Sequence, residues 1–201
     1  MAEETPRPDA STRWLETSQG VLSYTELAPL LAERVLRVQQ RIEAEAYGDR
    51  PLDEDLLRAL HGEFCGDLVP EWAGRWRAIG VRVGAHEPVA PHLLPVEMRN
   101  YALDLQARLA AAPTPDEWPE HLAFAEGRLL TLHPFADFNG RVTRLWLSEM
   151  LRRADLPPVE LAATGPEAVR GYLAALRAAD GRDFRPLVEI WRGRLARADQ
   201  D

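Results

Sequence analysis

The chain has 201 residues, with 24 basic against 32 acidic side chains, five histidines and a formal net charge of −8, and every basic residue is arginine. The absence of lysine excludes a phosphate-loop lysine, a Schiff base and a Ser-Lys dyad, and the acidic balance argues against a nucleic-acid partner, which calls for a cationic face. With 46% hydrophobic and 28% charged residues the composition is globular, one domain is expected at this length, and Cys65, the single cysteine, excludes an internal disulfide framework or a cysteine-based metal cluster. No apolar run approaches the roughly 20 residues of a membrane span, and the first residues are polar and acidic rather than signal-like. The expectation is a soluble cytoplasmic protein with no membrane partner.

Residues 1–10 carry two prolines and three acids without periodicity and are expected to form a mobile tail. From Leu27 to Ala46 the apolar positions Leu27, Leu30, Leu31, Val35, Val38 and Ile42 fall at helical spacing, and Gly48 and Pro51 end the helix. A second helix is expected from about Asp53, a capping residue, to Phe64. The segment from Gly66 to Pro95 is rich in glycine and proline, and within it Ile79, Val81 and Val83 alternate with Gly80, Arg82 and Gly84, the period of two of a short strand in a hairpin or loop. Helices resume from about Val96 to Ala111. Thr114-Pro115-Asp116-Glu117 reads as a capping box for a helix to about Leu132, apolar on more than one face and therefore central. Further helices are expected from about Gly140 to Ala154, from a Thr164-Gly165-Pro166-Glu167 cap to about Ala179, and from Phe184 to Arg197. The expected fold is all-α, about seven helices with one short hairpin.

The chemistry is concentrated in the stretch from Leu132 to Arg144, LHPFADFNGRVTR, between two of these helices. The Asn139-Gly140 turn suits left-handed backbone geometry, and the helix behind it aims free amides and its positive dipole end at the loop. That combination makes an anion site. Arg141 and Arg144, three apart on the first turn, add two guanidinium groups, and residues 128–153 hold five arginines against two acids, a local excess of positive charge in an acidic chain. A polyphosphate fits this stretch better than any other. His133 has the residue type of a general base. Asp137 would repel phosphate unless a divalent cation lay between them, which points to Mg2+ held jointly with phosphate oxygens. Taken singly, His133 suits a helix end, Asp137 a cap and the arginines surface ion pairs; it is their joint occurrence that carries weight.

The stretch resembles the signature of the Fic family (Fic/Doc fold), H-P-F-x-D/E-G-N-G-R-x-x-R, agreeing at His133, Pro134, Phe135, Asp137, Asn139, Gly140, Arg141 and Arg144. Trp72-Ala73-Gly74-Arg75-Trp76-Arg77, then Val81-Arg82-Val83-Gly84 and Pro88, look like the family's A-G-x-x-R segment and target-binding flap. The resemblance covers residues 50–195 and implies a Fic-fold helical bundle with a β-hairpin flap, residues 11–201 forming one domain whose first part, 11–47, holds an inhibitory segment and the first helices. It implies transfer of AMP from ATP to a Ser, Thr or Tyr hydroxyl of a protein target. On that resemblance His133 deprotonates the hydroxyl, Asp137 binds Mg2+, Asn139, Gly140 and Arg141 cradle the α- and β-phosphates, and Arg144 meets the γ-phosphate. The flap, Ile79, Gly80, Val81, Arg82, Val83 and Gly84, would hold the target by strand addition.

Phe138 stands where the family has Gly. A bulky residue there is expected to resist positive φ and to add volume beside the phosphates while keeping its amide. Members that replace this glycine by Ala include a phosphotransferase and a phosphocholine transferase, so those activities, or a non-catalytic nucleotide-binding regulatory module, are the alternatives. Thr12-Arg13-Trp14-Leu15-Glu16-Thr17 matches the start of the family's inhibitory pattern S/T-x-x-x-E-G/N, and on that resemblance Thr12 and Glu16 belong to an N-terminal inhibitory helix whose Glu16 pairs with Arg144. His86 and His92 lack the spacing of a zinc site. Cys65, Trp72, Trp76 and Trp146 read as packing residues, and a homodimer is left open.

Overall fold

In the computed structural model, which describes residues 14–111 and 113–198, the chain ahead of the first helix folds back on itself as an antiparallel hairpin of β1 (Trp14–Thr17) and β2 (Gly20–Ser23), with Trp14 opposite Ser23 and Thr17 opposite Gly20. Leu15 and Leu22 point to the core while Trp14 and Val21 face out, the alternation a strand imposes. Gly20 supplies the positive φ of the turn. The hairpin is pinned where Ser18 donates its amide to the Leu68 carbonyl at 2.8 Å and its hydroxyl to that of Asp67 at 2.6 Å. This arrangement corrects the expected N-terminal inhibitory helix. Glu16 lies in β1, exposed, and among the described residues it makes no ion pair with Arg144; Thr12 lies outside the described residues.

Ser23 ends the hairpin and starts α1 (Tyr24–Glu43) through a reciprocal capping box with Glu26, so the helix begins three residues before the apolar periodicity that marks it. Asp53 caps α2 (Glu54–Cys65) by accepting the Leu56 amide at 2.9 Å. After a 3-10 turn at Pro91–Leu93 come α3 (Leu94–Leu109), α4 (Trp118–Leu132), α5 (Asn139–Arg153), α6 (Pro166–Asp180) and α7 (Arg185–Ala198). The Glu117 carboxylate accepts from the Thr114 amide and hydroxyl, which is half of the expected capping box, but the Glu117 amide donates to the Thr114 carbonyl instead of its hydroxyl, residues 115–117 form a turn and the helix starts after them. Thr164 does not cap α6: the cap is Gly165 at φ 84, with Pro166 at the first helical position.

The flap segment is not a two-stranded hairpin. It holds one bridge, between Val83 and His86, and the residues before it lie in irregular backbone. Arg77, rather than a strand ladder, fixes its shape.

Helix α4 is the central element, packed by α3, α5, α6 and α7, while α1 and α2 pack on each other and on α5. Leu122, Ala123, Phe124, Ala125, Leu129 and Leu132 are buried around its circumference, as the many-sided apolar pattern requires. Cys65 is in the core, where burial pushes its thiol up to about 12 and leaves it inert as a nucleophile. Gly127 marks a close approach of other elements to α4. A Cβ there would lie 2.9 Å from Leu187 Cδ1, 2.9 Å from Phe184 Cδ1 and 3.0 Å from Ala179 Cβ, so at this position there is room for a hydrogen alone between α4 and its neighbours. Replacing Gly127 by Ala therefore overpacks the bundle at a cost of about 1–3 kcal/mol, exceeding the roughly 1 kcal/mol gained in helix propensity. Thermal melting of Gly127→Ala should show a Tm several degrees below that of the unsubstituted chain; an unchanged or higher Tm would mean the helices can slide apart.

Candidate active site

Between the last residue of α4 and the first of α5 the chain turns within residues 133–138, and both ends of that turn are left-handed. His133 caps α4 at φ 47, its amide donating to the Leu129 carbonyl at 3.0 Å, and Phe138 precedes α5 at φ 63. Such geometry at a bulky residue costs about 1–2 kcal/mol and has to be offset by the surroundings. The Asn139 side chain provides part of this, its Oδ1 accepting the Phe135 amide and its Nδ2 donating to the Phe135 carbonyl, both at 2.9 Å. Asn139 thus braces the loop with its side chain, while its backbone amide takes no part in that brace.

Phe138 overturns the expectation drawn from it. It adopts the positive φ, and its ring goes into the core, edge-on to Phe64 with centroids 5.5 Å apart and stacked on Trp72 at 5.7 Å. Its volume is therefore on the protein side of the loop. The left-handed residue is Phe138 itself, while Asn139 and Gly140 are already helical. The amides of Asn139 and Gly140 have no acceptor among the described residues and stand at the positive end of the helix dipole.

Among the described residues, Arg77, His61 and Tyr24 hold the loop from outside. Arg77, 3% exposed, donates Nε to the His133 carbonyl at 2.8 Å, Nη1 to that of Ile79 at 2.8 Å and Nη2 to that of Val89 at 2.5 Å, while the Arg77 amide donates to the Pro134 carbonyl at 2.9 Å. One guanidinium thus fixes the flap against the loop. His61 stacks on Phe135 at 3.9 Å, accepts the Gly74 amide at Nδ1 and donates Nε2–H to the Asp137 carbonyl. Burial pushes its imidazole down to about 4, so it is neutral and this tautomer holds. Tyr24, the first residue of α1, donates its hydroxyl to Asp137 Oδ2, and Asp137 Oδ1 accepts the Phe138 amide at 2.7 Å.

His133 Nδ1 faces the Leu130 carbonyl at 3.4 Å, which assigns the proton to Nδ1 and leaves the Nε2 lone pair as the basic position. Burial foremost, with the Arg77 guanidinium nearby, pushes this imidazole down to about 4. It is a neutral base at physiological pH. Arg141 and Arg144 form no ion pair among the described residues; burial, and then the mutual repulsion of the two, lowers the Arg141 pKa from its ordinary value, with Asp137 opposing. Both guanidinium side chains line a cavity of about 480 Å3 between α1 and α5 whose walls include Val35, Ile42, Leu145 and Val159. His133 and Asp137 do not line it. The expected set His133, Asp137, Asn139, Gly140, Arg141 and Arg144 is thus gathered at one loop and one helix end.

The sequence pattern assigned Arg77 to the flap's leading segment without a role of its own, and it gave no sign of His61 or Tyr24. No signal short of a contact map would have paired Tyr24 with Asp137, 113 residues apart.

The profile of the Fic/DOC family matches residues 51–151. Protein adenylyltransferase fic-1 of Caenorhabditis elegans is 34% identical over 137 residues, 67% of this chain and 25% of that protein, and protein adenylyltransferase Fic of Drosophila willistoni is 34% identical over 138 residues, 68% of this chain and 26% of that protein. The chain thus spans about a quarter of the length of the curated relatives it matches. Among solved structures, the N-terminal FIC domain of the effector Bep8 from Bartonella sp. 1-1C superposes with a TM-score of 0.75 over 90% of each chain at 13% identity. BepC from Bartonella tribocorum, solved with bound AMPPNP, superposes with a TM-score of 0.71 over 89% of this chain and 90% of that one at 16% identity. At those identities the superpositions establish the fold.

Replacing Phe138 by Gly tests how the loop is held. The left-handed strain of about 1–2 kcal/mol is relieved, but a buried aromatic worth about 3–5 kcal/mol is lost. Urea unfolding of Phe138→Gly should show a net loss of about 1–4 kcal/mol, the difference between those two effects. A more stable variant would mean the ring is not the anchor.

Proposed function

We propose that this chain, which belongs to the Fic/DOC family, transfers AMP from ATP to a hydroxyl side chain of a protein target. The observation that carries the reading is the loop of residues 133–138, which begins at a histidine held neutral and leads into the amino-terminal end of α5 with the amides of Asn139 and Gly140 and the side chains of Arg141 and Arg144. Arg141 and Arg144 form no ion pair among the described residues, and burial holds the His133 imidazole down to about 4. Binding alone has no use for a neutral base beside a phosphate site, so an enzyme is favoured over a regulatory binding module. The burial of the Phe138 ring supports an ordinary nucleotide pose over the phosphotransferase and phosphocholine alternatives, because the ring adds no bulk on the phosphate side.

In this reading the target hydroxyl lies against His133 Nε2, which takes its proton as the oxygen attacks the α-phosphorus. The bond from that phosphorus to the bridging oxygen breaks, and pyrophosphate leaves. The amides of Asn139 and Gly140 with Arg141 meet the α- and β-phosphates, and Arg144 meets the γ-phosphate, so that charge developing on the leaving group falls among fixed donors. Asp137 fits a magnesium ion: it offers hard carboxylate oxygens, and no cluster of three or more His, Cys, Asp or Glu able to hold a metal occurs among the described residues, which suits an ion that keeps waters and takes phosphate oxygens rather than one caged by protein. When bound there, Mg2+ would neutralise phosphate charge. The flap would supply the target's register. Gly80, Val81 and Arg82 make no backbone hydrogen bond among the described residues, so their donors and acceptors are open to an added strand, while Arg77 holds both ends of the segment.

Incubation with labelled ATP, Mg2+ and a cell lysate, in which the chain itself is also a candidate acceptor, should place label on protein. His133→Ala should reduce the labelling rate by at least about a hundredfold without loss of ATP binding. Because His133 is neutral above about pH 4, the rate should stay flat from about pH 8 down through about 6 and fall only as the pH approaches 4, rather than halving near the ordinary histidine value of about 6.5. ATP binding with no label transferred at any pH would replace the enzyme by the binding module.

A further inference from the structure

We infer that Tyr24 is a positioning residue for Asp137, fixing the carboxylate that would share a divalent cation with the nucleotide; the inference rests on the reading of Asp137 as that ion's protein ligand. Asp137 belongs to no helix or strand, so its side chain is placed by individual donors. Two donors do. The Phe138 amide reaches Oδ1 at 2.7 Å from within the loop, and the Tyr24 hydroxyl reaches Oδ2 from another element altogether. Each carboxylate oxygen has two lone-pair positions, so a donor on an oxygen orients it without using up its capacity to meet a cation. A neutral hydroxyl does this without bringing a positive charge that would repel the ion.

Tyr24 is well placed to act as a fixed donor. It is the first residue of α1, directly behind the reciprocal Ser23–Glu26 capping box, which fixes the backbone where the helix begins. The hairpin ahead of it is tied to residues 67 and 68 through Ser18. Asp67 is in turn held by Arg34 of α1, at 2.9 Å from Nε and 2.7 Å from Nη2. The Tyr24 ring packs against the core while its hydroxyl reaches the loop. The N-terminal hairpin and α1 thereby act on the catalytic loop through the Tyr24 hydroxyl, and the hairpin has a role that the expected inhibitory helix does not explain.

The test uses AMPPNP affinity measured by calorimetry with and without Mn2+, a readout that needs no turnover. In the unsubstituted chain Mn2+ should tighten AMPPNP binding, and Asp137→Ala should abolish that coupling. Tyr24→Phe keeps the ring and its packing and loses only the hydroxyl. It should leave metal-free AMPPNP affinity unchanged and reduce the Mn2+ coupling about tenfold, the lower end of what loss of an outer-shell partner does to metal affinity. Equal or greater coupling in Tyr24→Phe overturns the role of Tyr24 alone. Absence of coupling in the unsubstituted chain overturns the reading of Asp137 as the ion's ligand, and the inference with it.

Discussion

The buried guanidinium of Arg77 is the interaction on which the site depends. It replaces a strand ladder as the link between the flap and the loop, joining the carbonyls of Ile79 and Val89 to that of His133, with the Arg77 amide on Pro134. A buried guanidinium is tolerated only when its donors are satisfied, and here backbone carbonyls satisfy them, so its positions and those of the carbonyls define one another. The loop it holds is strained at both ends, at His133 and Phe138. That strain persists because burial of the Phe138 ring, the Asn139 brace and the His61 stack all favour the same loop geometry.

This arrangement separates the roles of the loop's residues. Phe135, Phe138 and the Asn139 side chain face the protein and hold the loop in shape, whereas the amides of Asn139 and Gly140 and the side chains of Arg141 and Arg144 are left to meet a ligand. His133 serves both ends, its carbonyl receiving Arg77 and its ring kept neutral by burial. In a chain without lysine, positive charge at such a site has to come from arginine and from a helix end. The overall acidity of the chain says little about this locally basic stretch.

The helices and the motif were legible in the sequence because both are local. Apolar spacing set α1, α2 and α4, and the motif positions lie within one short run from His133 to Arg144. What escaped was set by contacts across the fold. The direction of the Phe138 ring depends on Phe64 and Trp72; Arg77 meets His133 across 56 residues of sequence and His61 meets Asp137 across 76. The β1–β2 hairpin escaped because strands of four residues carry too few positions for alternation to stand out. The S/T-x-x-x-E match suggested a helix at Glu16, but the alternation of Leu15 and Leu22 inward with Trp14 and Val21 outward makes that segment a strand.

In the proposed site phosphate is met by the amino-terminal end of α5. Titration of the 15N-labelled chain with AMPPNP and Mg2+, followed by amide chemical shifts, reads that contact residue by residue. The largest shifts should fall on the amides of Asn139 and Gly140, with smaller ones along the flap. Shifts confined to residues such as Val35, Ile42 and Val159, which line the cavity between α1 and α5, with Asn139 and Gly140 unmoved, would contradict it.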